Sequence, residues 1–511
     1  MGNRATTWAT WSGYRADEIP TTSLPAGGDS PCALFFPADY SVGMANLGFH
    51  YIYRALRELG VAAERFFASP APHRSVERDT LLERFQVILS GISYEADARV
   101  LVKWLESAGI PPSRTERASR GGAPLIGCGG AVTYINPCLL SAIADFVVLG
   151  DGVGVVPHVV EVVRSQRLRD RVLSLLAEHP SIYVPAIHES GVHLLETSRR
   201  GIDLDFGHGN WVTPRTVFGA AFLVELQRGC ARGCGFCTLP ACFSPPRQRD
   251  LDLVKRDIDE AARGSELGRI GLVTPEAGDY KDLDELLDFA GERGMGISFA
   301  SLRLDGMTQK MVRALVRGGR RSVTVAPESG DDRLRARCGK SFTNDLIVET
   351  LRMAKGEGVR SAKLYFMMGL PGEEDHHLLS ISNLCLRVRE STGLRVTATI
   401  APFVPKPGTR WADAPFGGEG EGNALKKLKR GRDVLLKSFH GSLRGIAEIA
   451  SIKEACLEYA LSWATPETSR RLVDGAPLGF SYNRLLYEVS RPEAASELRR
   501  LGLTRDIAKL K

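Results

Sequence analysis

The chain has 511 residues, 43% hydrophobic, 25% charged and 7% aromatic, with a formal net charge of +6. At about 150 residues per domain that length implies about three domains, each large enough to bury its own core. The composition excludes global disorder and collagen-like repeats, ten cysteines are too sparse for a disulfide scaffold, and so mild a positive excess does not argue for nucleic acid.

The first residues carry no apolar signal core, so a reducing, cytoplasmic setting is expected. Met1-Gly2-Asn3-Arg4-Ala5-Thr6 matches a myristoylation pattern that six residues meet easily by chance, and residues 1–31 read as a polar tail. A doubly wound, Rossmann-like domain is expected over 32–163. Its strands are 33–37, 63–68, 86–92, 125–128 and 146–149, and its helices are 49–59 and 98–108, several closed by glycine. The most apolar stretch, 146–163, is broken by Asp151, Gly152, Gly154, Pro157, His158 and Glu161, so no membrane span is expected. Strands separated by helices imply a parallel sheet with ligands over its carboxyl edge.

Residues 164–215 read as a connector with one helix and a strand-like stretch at 181–197. Over 216–416 the alternation restarts, with strands at 218–226, 269–274, 297–303, 322–326, 362–368 and 396–402. Between them lie five amphipathic helices, such as the stripe Leu251, Val254, Ile258 and Ala261. Six strands and five helices fit a (βα)6 partial TIM barrel better than an eightfold one. The fold class is therefore α/β, closed by a small, mostly helical domain over 417–511. That domain opens with Lys426-Lys427-Leu428-Lys429-Arg430-Gly431-Arg432, which reads as a solvated helix face or, alternatively, as a nucleic-acid patch. Trp463 and Tyr482 are read as core residues or as a pocket lining over the barrel mouth.

Cys230, Cys234 and Cys237 follow the first strand of the second domain on a loop with Gly229, Gly233 and Gly235. Three thiolates in eight residues suit a [4Fe-4S] cluster with one iron left open, or a zinc site that takes Cys242 as its fourth ligand. Cys338 and Cys456 read as buried structural thiols rather than catalytic ones.

C-x3-C-x2-C after the first strand of a six-stranded barrel resembles the radical S-adenosylmethionine (radical SAM) superfamily. That resemblance implies an enzyme whose open iron chelates SAM and whose cluster cleaves it to a 5′-deoxyadenosyl radical. It also implies cofactor contacts at the strand ends. These are Thr274 and Glu276 in Thr-Pro-Glu-Ala-Gly, which departs from the family's usual Gly-Gly-Glu, with Ser301 and Arg303, Glu328, and Gly369. For Glu328 a surface pair with Arg333 or Arg335 is the alternative. A flavodoxin- or ferredoxin-type electron donor is implied as partner.

The first domain resembles the cobalamin-binding domain that precedes many such barrels. Matching stretches are 36–48, 90–93, 127–130 and 148–152, and the resemblance implies that Tyr40, Ser93, Gly129, Gly130 and Gly152 face a corrin. The Asp-x-His-x-x-Gly motif that supplies a histidine below cobalt is absent; His50 and His73 lie nearest to the relevant loops. Together the resemblances imply a cobalamin-dependent methyltransferase acting on an unactivated carbon of a small molecule. The alternatives are a radical SAM enzyme with a non-methylating outcome, or a zinc- or cluster-stabilised RNA-binding protein. Neither a nucleic acid nor a membrane is expected as partner.

Overall fold

The computed structural model describes residues 11–199, 207–264, 267–419, 423–475 and 489–503. Its largest sheet has six strands, in spatial order Val61–Ser69, Ser30–Asp39, Val87–Gly91, Leu125–Gly129, Phe146–Val148 and Ile182–Tyr183. The first five are parallel and the last is antiparallel. Ser30–Asp39 is buried on both faces, which is why it reads as an unbroken apolar run. Ala33 and Phe35 join the core under helix Asp97–Ser107, where Phe35 stacks on Trp104 at 3.7 Å between ring centroids. Leu34 and Phe36 join the opposite core with Phe49 and Leu56 of helix Leu47–Glu58. That helix starts at Asn46, whose side chain accepts from the Phe49 amide at 3.0 Å and satisfies one of the free first-turn donors.

Two expectations change. From Trp11 onward the supposed tail is part of the fold: Trp11 is fully buried against Tyr40 and Phe67, and its indole donates to the Arg74 carbonyl at 2.7 Å. Arg65 clamps the same segment through Glu18 at 2.8 Å, while its guanidinium stacks on Trp211. The segment looks polar because one indole and one buried ion pair anchor it, with no apolar run. The supposed connector likewise contributes helix Arg169–Leu176 and the edge strand Ile182–Tyr183 to the first domain.

The second domain holds six parallel strands in two sheets. Phe222–Glu225, Arg269–Val273 and Gly296–Phe299 form one; Ser322–Glu328, Ser361–Met368 and Arg395–Pro402 form the other. Five helices alternate with them: Leu251–Arg263, Leu283–Glu292, Gln309–Arg317, Asn344–Gly356 and Asp375–Thr392. A seventh strand, Ala447–Ile449, adds parallel to the sixth. Only three residues long, it carries no periodicity of its own.

The C-terminal helices tie the two domains together. Along Ile452–Ser462, Ala455, Cys456 and Tyr459 enter the barrel core while Leu457, Ala460 and Leu461 enter the first domain's core. Trp463 is buried and donates to the Pro405 carbonyl at 2.9 Å, so it packs rather than lining a pocket; Tyr482 lies outside the described residues. Cys338 and Cys456 are buried, and burial pushes their thiols up to about 12 and about 11. Helix Ala424–Ser438 buries Leu428 and Leu435, and its Arg430 pairs with Asp375 at 2.7 Å. Among the described residues no helix is long and apolar enough to cross a membrane.

One ion cluster marks the junction. Lys406, beyond the sixth barrel strand, reaches both carboxylate oxygens of Glu95 in the first domain at 2.8 Å and Glu458 of the C-terminal helix at 2.7 Å. Ser462 adds a hydroxyl to Glu95 at 2.8 Å. Because the Glu95 side chain is only 3% exposed, Lys406→Met leaves a carboxylate buried without its cation, at a cost of about 3–5 kcal/mol. Calorimetry is expected to show a lower unfolding midpoint, largely restored by adding Glu95→Gln.

Candidate functional site

The first barrel strand ends at Glu225, and the chain then enters a loop closed at its base by pairing of Gln227–Arg228 with Arg247–Gln248. Gly229 follows at φ 85°, where a side chain would be strained and its first carbon would lie 2.2 Å from the Phe243 carbonyl oxygen. Within the loop Cys230, Cys234 and Cys237 are all half-buried. Two further glycines let the surroundings close on them. A first side-chain carbon at Gly235 would lie 2.5 Å from the Trp411 ring, and one at Gly339 would lie 2.9 Å from the Cys234 backbone. Arg410 fastens the loop from outside, donating to the Gly233 carbonyl at 2.7 Å.

Burial pushes the Cys237 thiol up to about 11, and the charges of Cys234 and Cys230 add to the shift. Cys230 is raised as well, by burial first, then by Asp279 and Cys234. Raised in this way, the Cys230 and Cys237 thiols hold their protons until a cation binds, and a coordinating metal removes those protons outright. The donors therefore fit an iron-sulfur cluster. A zinc ion requires its donors in one shell at about 2.3 Å, whereas a cube takes each thiolate on a different iron. Among the described residues no group of three or more His, Cys, Asp or Glu is arranged to hold a single ion, and Cys242 is buried in helix Leu239–Phe243.

Facing the loop are the strand ends. Glu276 is 1% exposed, and its Oε1 accepts from the Gly278 amide at 3.0 Å. Its Oε2 is buried with no partner, and burial pushes the carboxyl up to about 7. A buried, half-satisfied carboxyl fits the amino group of an amino-acid cofactor. Thr274 acts one step back, donating from its hydroxyl to the Glu276 carbonyl at 3.1 Å. Arg303 lies 3.9 Å from the Cys234 sulfur and is held by Asp305 through two bonds of 2.9 Å.

Glu328 ends the fourth strand at φ 66°, a conformation that non-glycine residues adopt only when their surroundings enforce it. Lys340 does so, donating to Glu328 at 2.6 Å and to the Ala326 carbonyl at 2.7 Å. Burial holds the Glu328 carboxyl above its ordinary range although Lys340 opposes it. The surface pair with Arg335 is not formed: that residue is buried and binds Asp332 and the carbonyls of Ser329 and Phe342. Gly369, at φ 80°, donates its amide to Glu373 at 2.6 Å and shapes the turn. Ser301 lines a cleft between the third and fourth strands to which none of the three cysteines contributes.

The second feature is an apolar cavity between the two domains, with an empty volume of ≈ 1260 Å³. It sits over the carboxyl edge of the six-stranded sheet, where the order of the strands reverses. Ser93, Gly129, Gly130 and Gly152 line it, together with Leu34, Phe36, Leu47 and Val148. Ser90 adds a buried hydroxyl with no partner.

Tyr40 does not line it. Its ring is buried against Trp11 and Phe67 and its hydroxyl donates to Glu18 at 2.5 Å, because the segment read as a tail reaches it first. His50 is also elsewhere: it donates to the Met44 carbonyl at 3.0 Å and accepts from the Asn210 amide at 2.9 Å, and burial pushes its pKa down to about 3. His73 contacts Ser107 at 3.1 Å.

The barrel side of the cavity is formed by Glu225, Arg228, Phe243 and Val273. Arg228 bridges Glu225 at 2.8 Å to Asp151 of the first domain, and Tyr51 donates to Glu225 at 3.2 Å. Only Gly229 separates Arg228 from Cys230, so the wall of the cavity and the cysteine loop are one stretch of backbone. Sequence reasoning missed Arg228 and Lys340. Arg228 stands two residues before Cys230, a signal that commonplace loop arginines dilute, whereas Lys340 lies far along the chain from the cysteine motif and carried none.

Residues 224–385 match the family model described as Radical SAM superfamily, and residues 48–185 match the one described as Radical SAM proteins, N-terminal. Protein MJ0966 of Methanocaldococcus jannaschii is 26% identical over 400 residues, which cover 78% of this chain and 81% of that protein. The tRNA-2-methylthio-N(6)-dimethylallyladenosine synthase of Bordetella avium is 26% identical over 219 residues, 39% of this chain and 44% of that enzyme. Among solved structures, the radical SAM methyltransferase TsrM from Kitasatospora setae with cobalamin and [4Fe-4S] cluster bound aligns at a TM-score of 0.55. It is 12% identical, and the alignment covers 90% of this chain and 99% of TsrM. TsrM with tryptophan substrate and aza-SAM bound gives 0.56 over 92% and 100%. At that identity the likeness establishes the fold: a doubly wound domain, a partial barrel and C-terminal helices in one arrangement.

Proposed function

This chain belongs to the radical SAM superfamily, and we propose that it is a cobalamin-dependent methyltransferase acting on an unactivated carbon of a small molecule. The observation that carries this reading is the juxtaposition of three half-buried thiols on one glycine-rich loop with an interdomain apolar cavity through the single stretch Arg228-Gly229-Cys230. TsrM, which shares the fold, is a methyltransferase with both cofactors bound.

In this reading Cys230, Cys234 and Cys237 would ligate the cluster, Glu276 would accept from the amino group of SAM, and Ser93, Gly129, Gly130 and Gly152 would border the corrin. The cofactors supply the electron, the 5′-deoxyadenosyl radical and the methyl group. The chain's own residues orient and shield. Glu276 offers its free oxygen without any rearrangement, since Gly278 and Thr274 already fix it. Arg303 and Lys340 place positive charge beside an anionic cluster. Glu225, Arg228 and Asp151 form a paired polar edge where the cavity meets the loop, so the apolar walls exclude water without an isolated charge. An external electron donor of flavodoxin or ferredoxin type completes the scheme.

The test is anaerobic reconstitution with iron, sulfide, SAM, reductant and methylcobalamin. It should yield 5′-deoxyadenosine and protein that retains corrin through gel filtration; protein that never retains corrin defeats the methyltransferase reading. SAM cleavage by corrin-loaded enzyme without methylated product would favour the non-methylating alternative. The RNA-binding alternative has little support in the C-terminal helix, where Arg430 is paired with Asp375 and Lys427 donates to the Gly418 carbonyl at 2.6 Å.

The cavity gives a separate prediction. Gly91 borders it, and a first side-chain carbon there would meet nothing within 4 Å. Gly91→Phe is expected to fold, fill the corrin space and cut retained corrin at least about tenfold, the effect of roughly 1.4 kcal/mol. Absorption after gel filtration measures it, with iron content unchanged.

A further inference from the structure

We propose that the barrel lumen binds a substrate carrying an anionic group, a carboxylate or a phosphate, seated on Lys363 and Thr399 beneath a flat body that lies on Tyr365. The inference rests on the radical SAM reading above and deepens it by naming a substrate class.

Along the fifth strand Ala362, Leu364, Phe366 and Met368 belong to the core under the helices. Side chains alternate across a strand, so Lys363, Tyr365 and Met367 face the lumen. Register sets them in layers: Thr324, Lys363 and Thr397 pair across one level, and Tyr365 and Thr399 across the next level toward the cysteine loop. In a closed eight-stranded barrel such layers are filled by packed side chains. Here they are open: Thr324 and Thr397 are exposed and Tyr365 is 37% exposed, although helices cover the other face of the strands.

The open face is rich in donors, and its charged residues on these strands and the seventh are Lys363, Arg395 one level below it, and Glu448 level with Thr399, one net positive charge. The Lys363 ammonium sits 5.1 Å from the centroid of the Tyr365 ring. Thr399 has a buried hydroxyl with no partner, one level above Lys363. At the top of the lumen Glu328 is already neutralised by Lys340 at 2.6 Å, and at its floor Arg320 and Arg269 donate to the Phe218 carbonyl at 2.6 and 2.7 Å. A carboxylate or phosphate placed here would gain a charge-assisted bond from Lys363 and satisfy Thr399. Its far end would then point to the strand ends, where Glu276 and the cysteines stand.

The experiment reads the charge of the lumen without requiring the substrate. Thr324→Cys, with Thr397→Cys as a second reporter on the opposite strand, is introduced into the reconstituted full-length protein. Each is labelled anaerobically with methanethiosulfonates bearing a sulfonate or a trimethylammonium tail. Rates come from peptide mass spectrometry, normalised to the same reagents on free cysteine. Lys363, the cross-strand partner of both reporters, should favour the sulfonate by about threefold or more. Lys363→Met should abolish that preference, and 3-phenylpropionate or phenyl phosphate should slow labelling, the stronger protector identifying carboxylate or phosphate as the anion. Equal rates or a cationic preference at both reporters, or a ratio that Lys363→Met leaves unchanged, overturns the proposal. Because SAM cleavage is not the readout, that failure would leave the radical SAM reading standing. Iron-free protein would defeat the latter alone.

Discussion

Cys234→Ala should leave a folded protein that no longer forms 5′-deoxyadenosine. Loss of an outer support of a metal site already costs 10–100-fold in affinity or activity, so loss of a direct ligand is expected to lower turnover by more than about 100-fold. The fold should survive because the loop lies outside the two large cores: Cys234 is half-buried, its base is closed by Gln227–Arg228 with Arg247–Gln248, and Trp411 still caps Gly235. Iron and sulfide per chain should fall together with the brown absorption of the cluster. Cys242→Ala is the control, since that thiol is buried in its own helix. Equal iron loss in both variants would return the zinc-type, four-thiol reading; unchanged deoxyadenosine formation by Cys234→Ala would remove the cluster assignment altogether.

The cysteine loop was legible because its information is local: three thiols and three glycines within nine residues, placed after an apolar strand. The alternation of strand and helix was legible for a similar reason, since a buried parallel strand is a short apolar run and its crossover helix carries a 3.6-residue stripe. Long-range pairing was not. Tyr40 was expected at the corrin because it falls in the stretch 36–48 that resembles a cobalamin-binding domain, but whether it faces a cavity or a core depends on Trp11 and Glu18, which a whole strand separates from it in the sequence. Glu328 was expected as a cofactor contact, with a surface pair to Arg333 or Arg335 as the alternative. The left-handed backbone at Glu328 turns its carboxylate instead toward Lys340, twelve residues on. The edge strands Ile182–Tyr183 and Ala447–Ile449 are too short to carry a period and exist because a neighbouring strand offers them hydrogen bonds.

Glu276→Gln is the second large effect, and it separates binding from stability. The carboxyl of Glu276 is raised to about 7 from an ordinary value of 4.5, chiefly by burial. A carboxyl raised in the folded state holds its proton there while the unfolded chain has lost it. The stability it contributes is therefore complete below pH 4.5 and falls away as the pH climbs to about 7, where the cost reaches about 3 kcal/mol. The neutral amide avoids that cost, so the variant without cofactor should be more stable than the parent above pH 7 and should show a flatter stability profile between pH 4.5 and 7. Binding should move the other way. A buried charge-assisted bond is worth about 1.5–3 kcal/mol, so SAM affinity should drop by about 10–100-fold. In the parent, SAM affinity should rise with pH up to about 7 and then level off, as the amino N–H of the ligand meets a carboxylate in place of a carboxylic acid. Anaerobic SAM titrations of reconstituted protein from pH 6 to 8.5, set beside calorimetry of both variants, measure the two effects. A variant that binds SAM as tightly as the parent, with the same pH dependence, would show that the free oxygen of Glu276 meets no amino group, and that its burial destabilises the barrel without serving the cofactor.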